Sequence, residues 1–269
     1  PDNVEFALEA ESICRQQGVV PATIAIVKGE CCVGLKKTQI EFIAKDASTK
    51  KVSRRELGIA IAKKWNGGTT VSATMHIAYE SGLSVLSTGG IGGVHRGAEK
   101  TFDISQDLIA LSQIPMVVVS AGAKAVLDLP KTLESLEALG IPVLGFETNE
   151  FPAFYSRNSG LRGLLRIESP GEAAHVYRKN MDTGLSASTL VVNPVPEKDE
   201  IPNNEIEKIT YGAIKYAREK KIKGKGLTPF LLKEIMKITG GRSLRANKSL
   251  AINNVNLGIQ ISKELFSGC

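Results

Sequence analysis

An α/β fold is predicted for this 269-residue sequence by three features. Apolar runs alternate with amphipathic stretches along the whole chain. One of those runs, Met116-Val-Val-Val-Ser120, is too apolar to be an exposed strand. Apolar residues make up 42% and charged residues 23%, the balance of a globular protein large enough to bury a core without disulfide or metal staples.

The elements follow in order. Residues 4–17 predict a helix, with Phe6, Ala7, Ala10 and Ile13 on one face and Gly18 ending it. Residues 22–27 predict a strand, with 32–35 as its hairpin partner. Residues 53–64 predict a helix, and 69–81 a second one that opens in the turn Gly67-Gly-Thr-Thr70. A short strand, 84–87, enters the glycine-rich segment Thr88-Gly-Gly-Ile-Gly-Gly-Val-His-Arg-Gly97. A helix over 105–112 precedes the apolar strand 116–120, which runs into Ala121-Gly-Ala-Lys124. Helix 133–139 and strand 143–146 repeat the step. Helix 171–181 is followed by strand 190–193, stopped by Pro194. Helices are predicted over 201–220, 229–239 and 244–266. Apolar periodicity resumes directly after the loop 194–202, so residues 1–269 are expected to form one domain.

Composition narrows the function classes. No stretch approaches the roughly 20 apolar residues that span a bilayer, and Pro1-Asp-Asn-Val-Glu5 lacks the flank and apolar run of a signal peptide. A first residue of Pro rather than Met is expected of a chain that was processed, trimmed or drawn from a longer product. Cys14, Cys31, Cys32 and Cys269 include no C-x-x-C pair and are expected to be free thiols, which fits a reducing compartment, the cytoplasm. The net charge is +6, yet the basic residues fall in short groups (36–37, 50–55, 63–64 and 215–225). With 5% aromatics there is little material for stacking bases. A nucleic-acid partner is therefore not expected, nor is a membrane.

Three segments carry residue types that could do chemistry. The glycines of 88–97 permit close backbone approach, so N–H groups could converge on an anion. Their register matches neither a phosphate loop nor a dinucleotide fingerprint. A tight turn explains the glycines as well, but His95 and Arg96 favour an anion site. Asp103-Ile-Ser-Gln-Asp107 places two carboxylates four residues apart, which on one helix would share a face and could hold a hard divalent ion. Capping of the following helix by Asp103 or Ser105 is the competing explanation. Lys124 stands past the end of an apolar strand, where an open α/β sheet binds ligands. Desolvation there would lower its pKa and free a nucleophilic amine, although a lysine snorkelling from a helix start fits the same position. Lys51 is expected at the start of a helix, where a cation opposes the helix dipole and an anionic ligand would account for it.

These segments, in this order, resemble the pseudouridine-5′-phosphate glycosidase family. The likeness rests on Pro21-Ala-Thr-Ile-Ala-Ile26, Lys51-Val-Ser-Arg-Arg55, Asn66-Gly-Gly-Thr-Thr-Val71, the 88–97 segment, Phe102-Asp-Ile-Ser-Gln-Asp107, Ser120-Ala-Gly-Ala-Lys124, Phe151-Pro-Ala-Phe154, Thr228-Pro-Phe-Leu-Leu232 and Thr239-Gly-Gly-Arg-Ser-Leu244. The resemblance implies a three-layer α/β/α fold with a central mixed, mostly parallel sheet, assembled as a homotrimer. It implies reversible cleavage of pseudouridine 5′-phosphate to uracil and ribose 5-phosphate with a divalent ion, manganese by expectation. Carried over by motif, Lys124 attacks C1′ and forms an imine, and Asp103 is the metal ligand. Lys51, Val71, Ser105, Gln106 and Asp107 contact the substrate, with His95 and Asn247 as further pocket residues.

The chemistry suits a lysine. Uracil leaves through carbon, a poor leaving atom, and an iminium at C1′ supplies an electron sink that an oxocarbenium route with two carboxylates does not. The sequence departs from the family in one respect. The family's proton-donor glutamate lies in an Ala-Leu-Glu-Ser-Thr segment before the first helix, and this sequence begins after that point. Upstream residues absent from the sequence are the expected reason. The alternatives are an inactive fragment or interaction module, and a Schiff-base aldolase acting on a sugar phosphate.

Overall fold

The computed structural model describes residues 2–222 and 224–266, with the side chains of Asp2 and Lys225 left out. Cys269 and Lys223, part of the basic group 215–225, lie outside the described residues. Cys14, Cys31 and Cys32 are free thiols.

In chain order, α1 (Asp2–Gln16) leads to the hairpin β1 (Ile24–Val27) and β2 (Glu30–Val33), then α2 (Lys37–Lys45) and β3 (Lys50–Val52). A 3-10 turn, Arg54–Glu56, opens α3 (Leu57–Ala62), and β4 (Gly67–Thr69) feeds α4 (Val71–Glu80). Next come β5 (Val85–Ser87), α5 (Ala98–Thr101), α6 (Gln106–Gln113), β6 (Val117–Ser120), α7 (Leu129–Ala138), β7 (Val143–Phe146) and β8 (Leu165–Ile167). The chain ends with α8 (Pro170–Asp182), β9 (Thr189–Val192), α9 (Asn203–Glu219), α10 (Leu227–Ile238) and α11 (Arg242–Phe266). No described helix is long and apolar enough to cross a membrane.

The α/β class holds, with the strands divided between two sheets. Five strands in the order β5-β6-β9-β7-β8 make a parallel sheet. The antiparallel pairs fall in a separate four-stranded sheet of order β2-β1-β4-β3, in which β3 and β4 run parallel. The parallel sheet is covered on both faces, because alternate side chains of a strand point to opposite sides. Val117, Val119, Leu144 and Val191 pack with Ala173 of α8 and with Leu257 and Ile261 of α11. Val118, Leu190 and Val192 join a larger core with Leu108 and Leu111 of α6 and Leu136 of α7.

Local chemistry explains most boundaries. Ser105 caps α6 by accepting from the Asp107 N–H at 3.2 Å. Asp128 caps α7, Ser169 caps α8, and both helices carry Pro in the first turn. The hairpin reverses through Lys28 and Gly29, both with positive φ.

Lys51 is not at a helix start. It lies in β3, its backbone paired with Gly68, and the 3-10 turn begins only at Arg54, after Ser53 and Glu56 form a capping box. The predicted helix 53–64 is thus a 3-10 turn followed by a short α3, and the dipole argument for Lys51 does not apply. Residues 67–69, expected as a turn, form β4 for the same reason: β3 and β4 are visible only as partners.

Candidate active site

The loops at the carboxyl ends of β5 and β6 run side by side and extend the pairing of those strands. Ala121 N–H donates to Gly89 O at 3.0 Å and Ile91 N–H to Gly122 O at 3.0 Å. Lys124 N–H then donates to Ile91 O at 3.1 Å, and Asp128 N–H to Val94 O at 2.9 Å. This lacing fixes Lys124 against the glycine-rich segment, in the crevice outside the strand ends where parallel sheets bind ligands.

Lys124 is largely buried and, among the described residues, makes no hydrogen bond or ion pair through its ammonium. Burial pushes its pKa below the ordinary 10.5, Asp107 pulls it back up, and Lys51 adds to the depression. An amine shifted this way holds more of its neutral, nucleophilic form at moderate pH. The sign gives a prediction. Imine formation should rise with pH as the amine deprotonates and should level off below 10.5. A trapping rate that still climbs steeply above that value contradicts the depressed pKa.

Asp107 holds the site together. It is 4% exposed, and its two oxygens accept separate backbone amides: Oδ1 from Ser72 N–H at 2.9 Å and Oδ2 from Gly92 N–H at 2.8 Å. One carboxylate thereby ties the first turn of α4, the glycine-rich segment and the first turn of α6, while its charge faces Lys124. A side chain at 92 would overlap Ser105 Oγ, so only glycine brings this amide onto the carboxylate. The expected anion-binding loop thus already holds an anion of its own chain at Gly92.

Asp103 and Asp107 do not share a helical face. Helix α6 begins at Gln106, and Asp103 lies in the extended approach, its carbonyl accepting from His95 N–H at 3.0 Å. Of the two explanations for 103–107, capping holds for Ser105. The Asp103 carboxylate faces His95. Burial drives the His95 pKa below 6.5, Asp103 opposes that shift, and Lys51 and Lys124 reinforce it. Lys51, His95, Asp103, Asp107 and Lys124 therefore form one electrostatic cluster.

The remaining predicted residues surround it. Val71 is the first residue of α4, buried next to the Ser72 amide that Asp107 holds. Parallel pairing of β3 with β4 brings Lys51, exposed at its side chain, to the same end. Gln106 Oε1 accepts from Arg55 N–H at 3.0 Å, which joins the small sheet's 3-10 turn to α6. Asn247, on α11, puts its Oδ1 3.3 Å from where a side chain on Gly89 would stand. Arg96, offered above as an anion ligand, instead forms a two-bonded pair with Glu207, at 3.1 and 2.7 Å.

Among the described residues no group of three His, Cys, Asp or Glu could hold a metal. Asp103 offers a single carboxylate, and the oxygens of Asp107 are engaged. This donor set fits only a hard ion that keeps most of its water or takes oxygens from a substrate.

Two supporting residues escaped the sequence reading. Thr132 Oγ1 accepts from Val94 N–H at 3.0 Å, and nothing in its helix marks it. Asn254 Nδ2 donates to Thr88 O at 2.8 Å. Its signal was legible, since it stands in the buried register of α11 with Leu250, Leu257 and Ile261.

Fold and site together define a class: a parallel α/β protein that presents a desolvated amine, among further charged groups, at the carboxyl end of its sheet. The chain belongs to the indigoidine synthase A like family, whose model matches residues 1–264. It is 48% identical to a pseudouridine-5′-phosphate glycosidase of Petrotoga mobilis and 49% identical to one of Caldanaerobacter subterraneus subsp. tengcongensis. Each match covers 98% of this chain and 86% of the relative. Among solved structures, an indigoidine synthase A-like protein of Thermotoga maritima superposes with a TM-score of 0.91 at 41% identity, covering 97% of this chain and 86% of that one. The prealnumycin C-glycosynthase AlnA, in complex with ribulose 5-phosphate, superposes with a TM-score of 0.92 at 34% identity, covering 98% and 87%.

Proposed function

We propose that this chain is a pseudouridine-5′-phosphate glycosidase, cleaving the C1′–C5 bond of pseudouridine 5′-phosphate to give uracil and ribose 5-phosphate. The observation that carries the reading is Lys124: a desolvated amine without a hydrogen-bond partner among the described residues, laced against the glycine-rich segment at the carboxyl end of β6. Relatives 48–49% identical over nearly the whole chain carry that name, and a C-glycosynthase of the same fold is known with a sugar phosphate.

In this reading the neutral amine of Lys124 attacks C1′, and the C1′–O4′ bond breaks as O4′ takes a proton. The nitrogen lone pair then forms a C1′=N iminium while the C1′–C5 pair stays with uracil, whose C5 accepts a proton. Water hydrolyses the iminium, freeing ribose 5-phosphate and the amine. The reaction consumes one water overall and is reversible. Asp107 stabilises the iminium through its charge. Lys51 attracts the phosphate, which lies far from the breaking bond and can hold the sugar in reacting geometry. Val71, His95, Ser105, Gln106 and Asn247 line the substrate. A homotrimer is the assembly that accompanies this reading.

A divalent ion, manganese, is assigned to Asp103, where it would supply positive charge next to His95. Asp103→Ala is expected to weaken manganese binding in a calorimetric titration by about tenfold or more. Unchanged binding removes the assignment.

The function is tested by borohydride reduction with ribose 5-phosphate, followed by mass spectrometry of the peptide containing Lys124. The expected result is a ribitol 5-phosphate adduct on that lysine. Adducts formed only with simple aldol substrates would favour an aldolase instead.

A further inference from the structure

Buried polar side chains normally have partners, because removing an amide from water without a hydrogen bond is destabilising. Asn254 departs from that rule in an instructive way. It is fully buried in α11, in the register of Leu250, Leu257 and Ile261, where an apolar residue would stabilise the helix and its packing. Its Oδ1 is buried without a partner among the described residues. Its Nδ2 is fully engaged, donating to Thr88 O at 2.8 Å and to Gly89 O at 3.4 Å. Around it, α11 is fastened to β5: Ser87 Oγ donates to Asn254 O at 3.1 Å, and a side chain at Gly258 would overlap that hydroxyl.

The consequence lies on the other side of those two peptides. In a trans peptide the C=O and the next N–H point in opposite directions, and the described residues contain no cis bond. The Thr88 carbonyl is held towards Asn254, and the Gly89 carbonyl is shared between Asn254 Nδ2 at 3.4 Å and the Ala121 N–H at 3.0 Å, so the N–H groups of Gly89 and Gly90 point away from those donors. Among the described residues neither N–H has a protein acceptor, although Gly90 is buried. Buried N–H groups without partners are rare in folded proteins. Here a buried one, at Gly90, adjoins a half-buried one at Gly89, in the glycine-rich segment against which Lys124 is laced.

We propose that Asn254 is a positioning residue: it orients the Gly89 amide, and together with the Ala121 N–H the Gly90 amide, as a pair of neutral donors for oxygen atoms of the bound sugar phosphate. The inference rests on the function proposed above. Asn254 itself touches no substrate and acts through the loop backbone.

The test is the rate of borohydride trapping of Lys124 with ribose 5-phosphate, measured against sugar concentration for the unaltered chain, Asn254→Leu and Asn254→Asp. Thermal unfolding is measured alongside. Asn254→Leu is expected to unfold at a similar temperature, since removal of an unpaired buried oxygen and added apolar packing offset the lost bond to Thr88 O. Its half-saturating sugar concentration should rise by about tenfold or more. Asn254→Asp places a buried carboxylate against two carbonyls. It is expected to trap poorly at high pH and to recover towards the unaltered chain as pH falls and the protonated acid regains one donor. A merely structural residue would not produce that pH-dependent ratio. If the unaltered chain traps no sugar, the proposed function itself has failed. If it traps sugar while either folded variant saturates normally at every pH, Asn254 has no positioning role. Should Asn254→Leu not fold, the pH dependence of Asn254→Asp alone decides.

Discussion

Replacing Lys124 with alanine should abolish uracil release from pseudouridine 5′-phosphate while the protein remains folded. The amine is the group assigned to the covalent step, and no other lysine is laced into the loop pair at the ends of β5 and β6. Loss of a sole nucleophile lowers turnover by about a thousandfold or more. The fold should tolerate the change, because among the described residues Lys124 makes no side-chain hydrogen bond or ion pair, and its burial disfavours the charged form. Circular dichroism should be unchanged and the unfolding midpoint should move by only about 2–4 °C. Near-normal turnover in a folded Lys124→Ala protein would end the imine mechanism, since no substitute nucleophile occupies that position.

Asp107→Ala should be as damaging to stability as Lys124→Ala is to activity. The carboxylate accepts the Ser72 and Gly92 amides from elements 35 and 15 residues away in sequence. Hydrogen bonds to a charged group contribute about 1.5–3 kcal/mol each, and truncation leaves two N–H groups facing a cavity. A loss of about 3–5 kcal/mol is expected, read as a lower midpoint in urea with a similar slope. Asp107→Asn keeps the shape but turns an NH2 group towards one of the amides, so it should rescue only part of that loss. A change below about 1 kcal/mol would show that the three segments are held by other contacts.

Asp107 also shows what a sequence can and cannot disclose. Its place after Ser105 identified a helix N-terminus, and the structure puts it in the first turn of α6. That its oxygens reach Ser72 and Gly92 is not encoded in any spacing, because those amides arrive from separate loops. Of the two readings of Asp103 and Asp107, the shared helical face fails for the same reason, while capping holds at Ser105. A four-residue interval implies a shared face only inside a helix, and the helix starts between them. Lys51 was misplaced because a three-residue strand has too little length for periodicity to register. β3 exists through its pairing with β4, and β8 was overlooked on the same grounds. Asn254 is the opposite case: the 250, 254, 257 and 261 register exposed a polar residue in a buried row, but its purpose required the carbonyls it meets.

By itself, the sequence determined what depends on neighbours along the chain: the α/β alternation, the capped helices, the buried strand leading to Lys124, and the ordered motifs that mark the family. Tertiary structure alone decided the division into two sheets, the strand order β5-β6-β9-β7-β8, and which carboxylate faces the lysine. Helix caps and apolar periodicity act over a few residues, so they can be read locally. Parallel pairing and a buried carboxylate's choice of amides join segments tens of residues apart, and only the packed chain brings those groups within hydrogen-bonding distance.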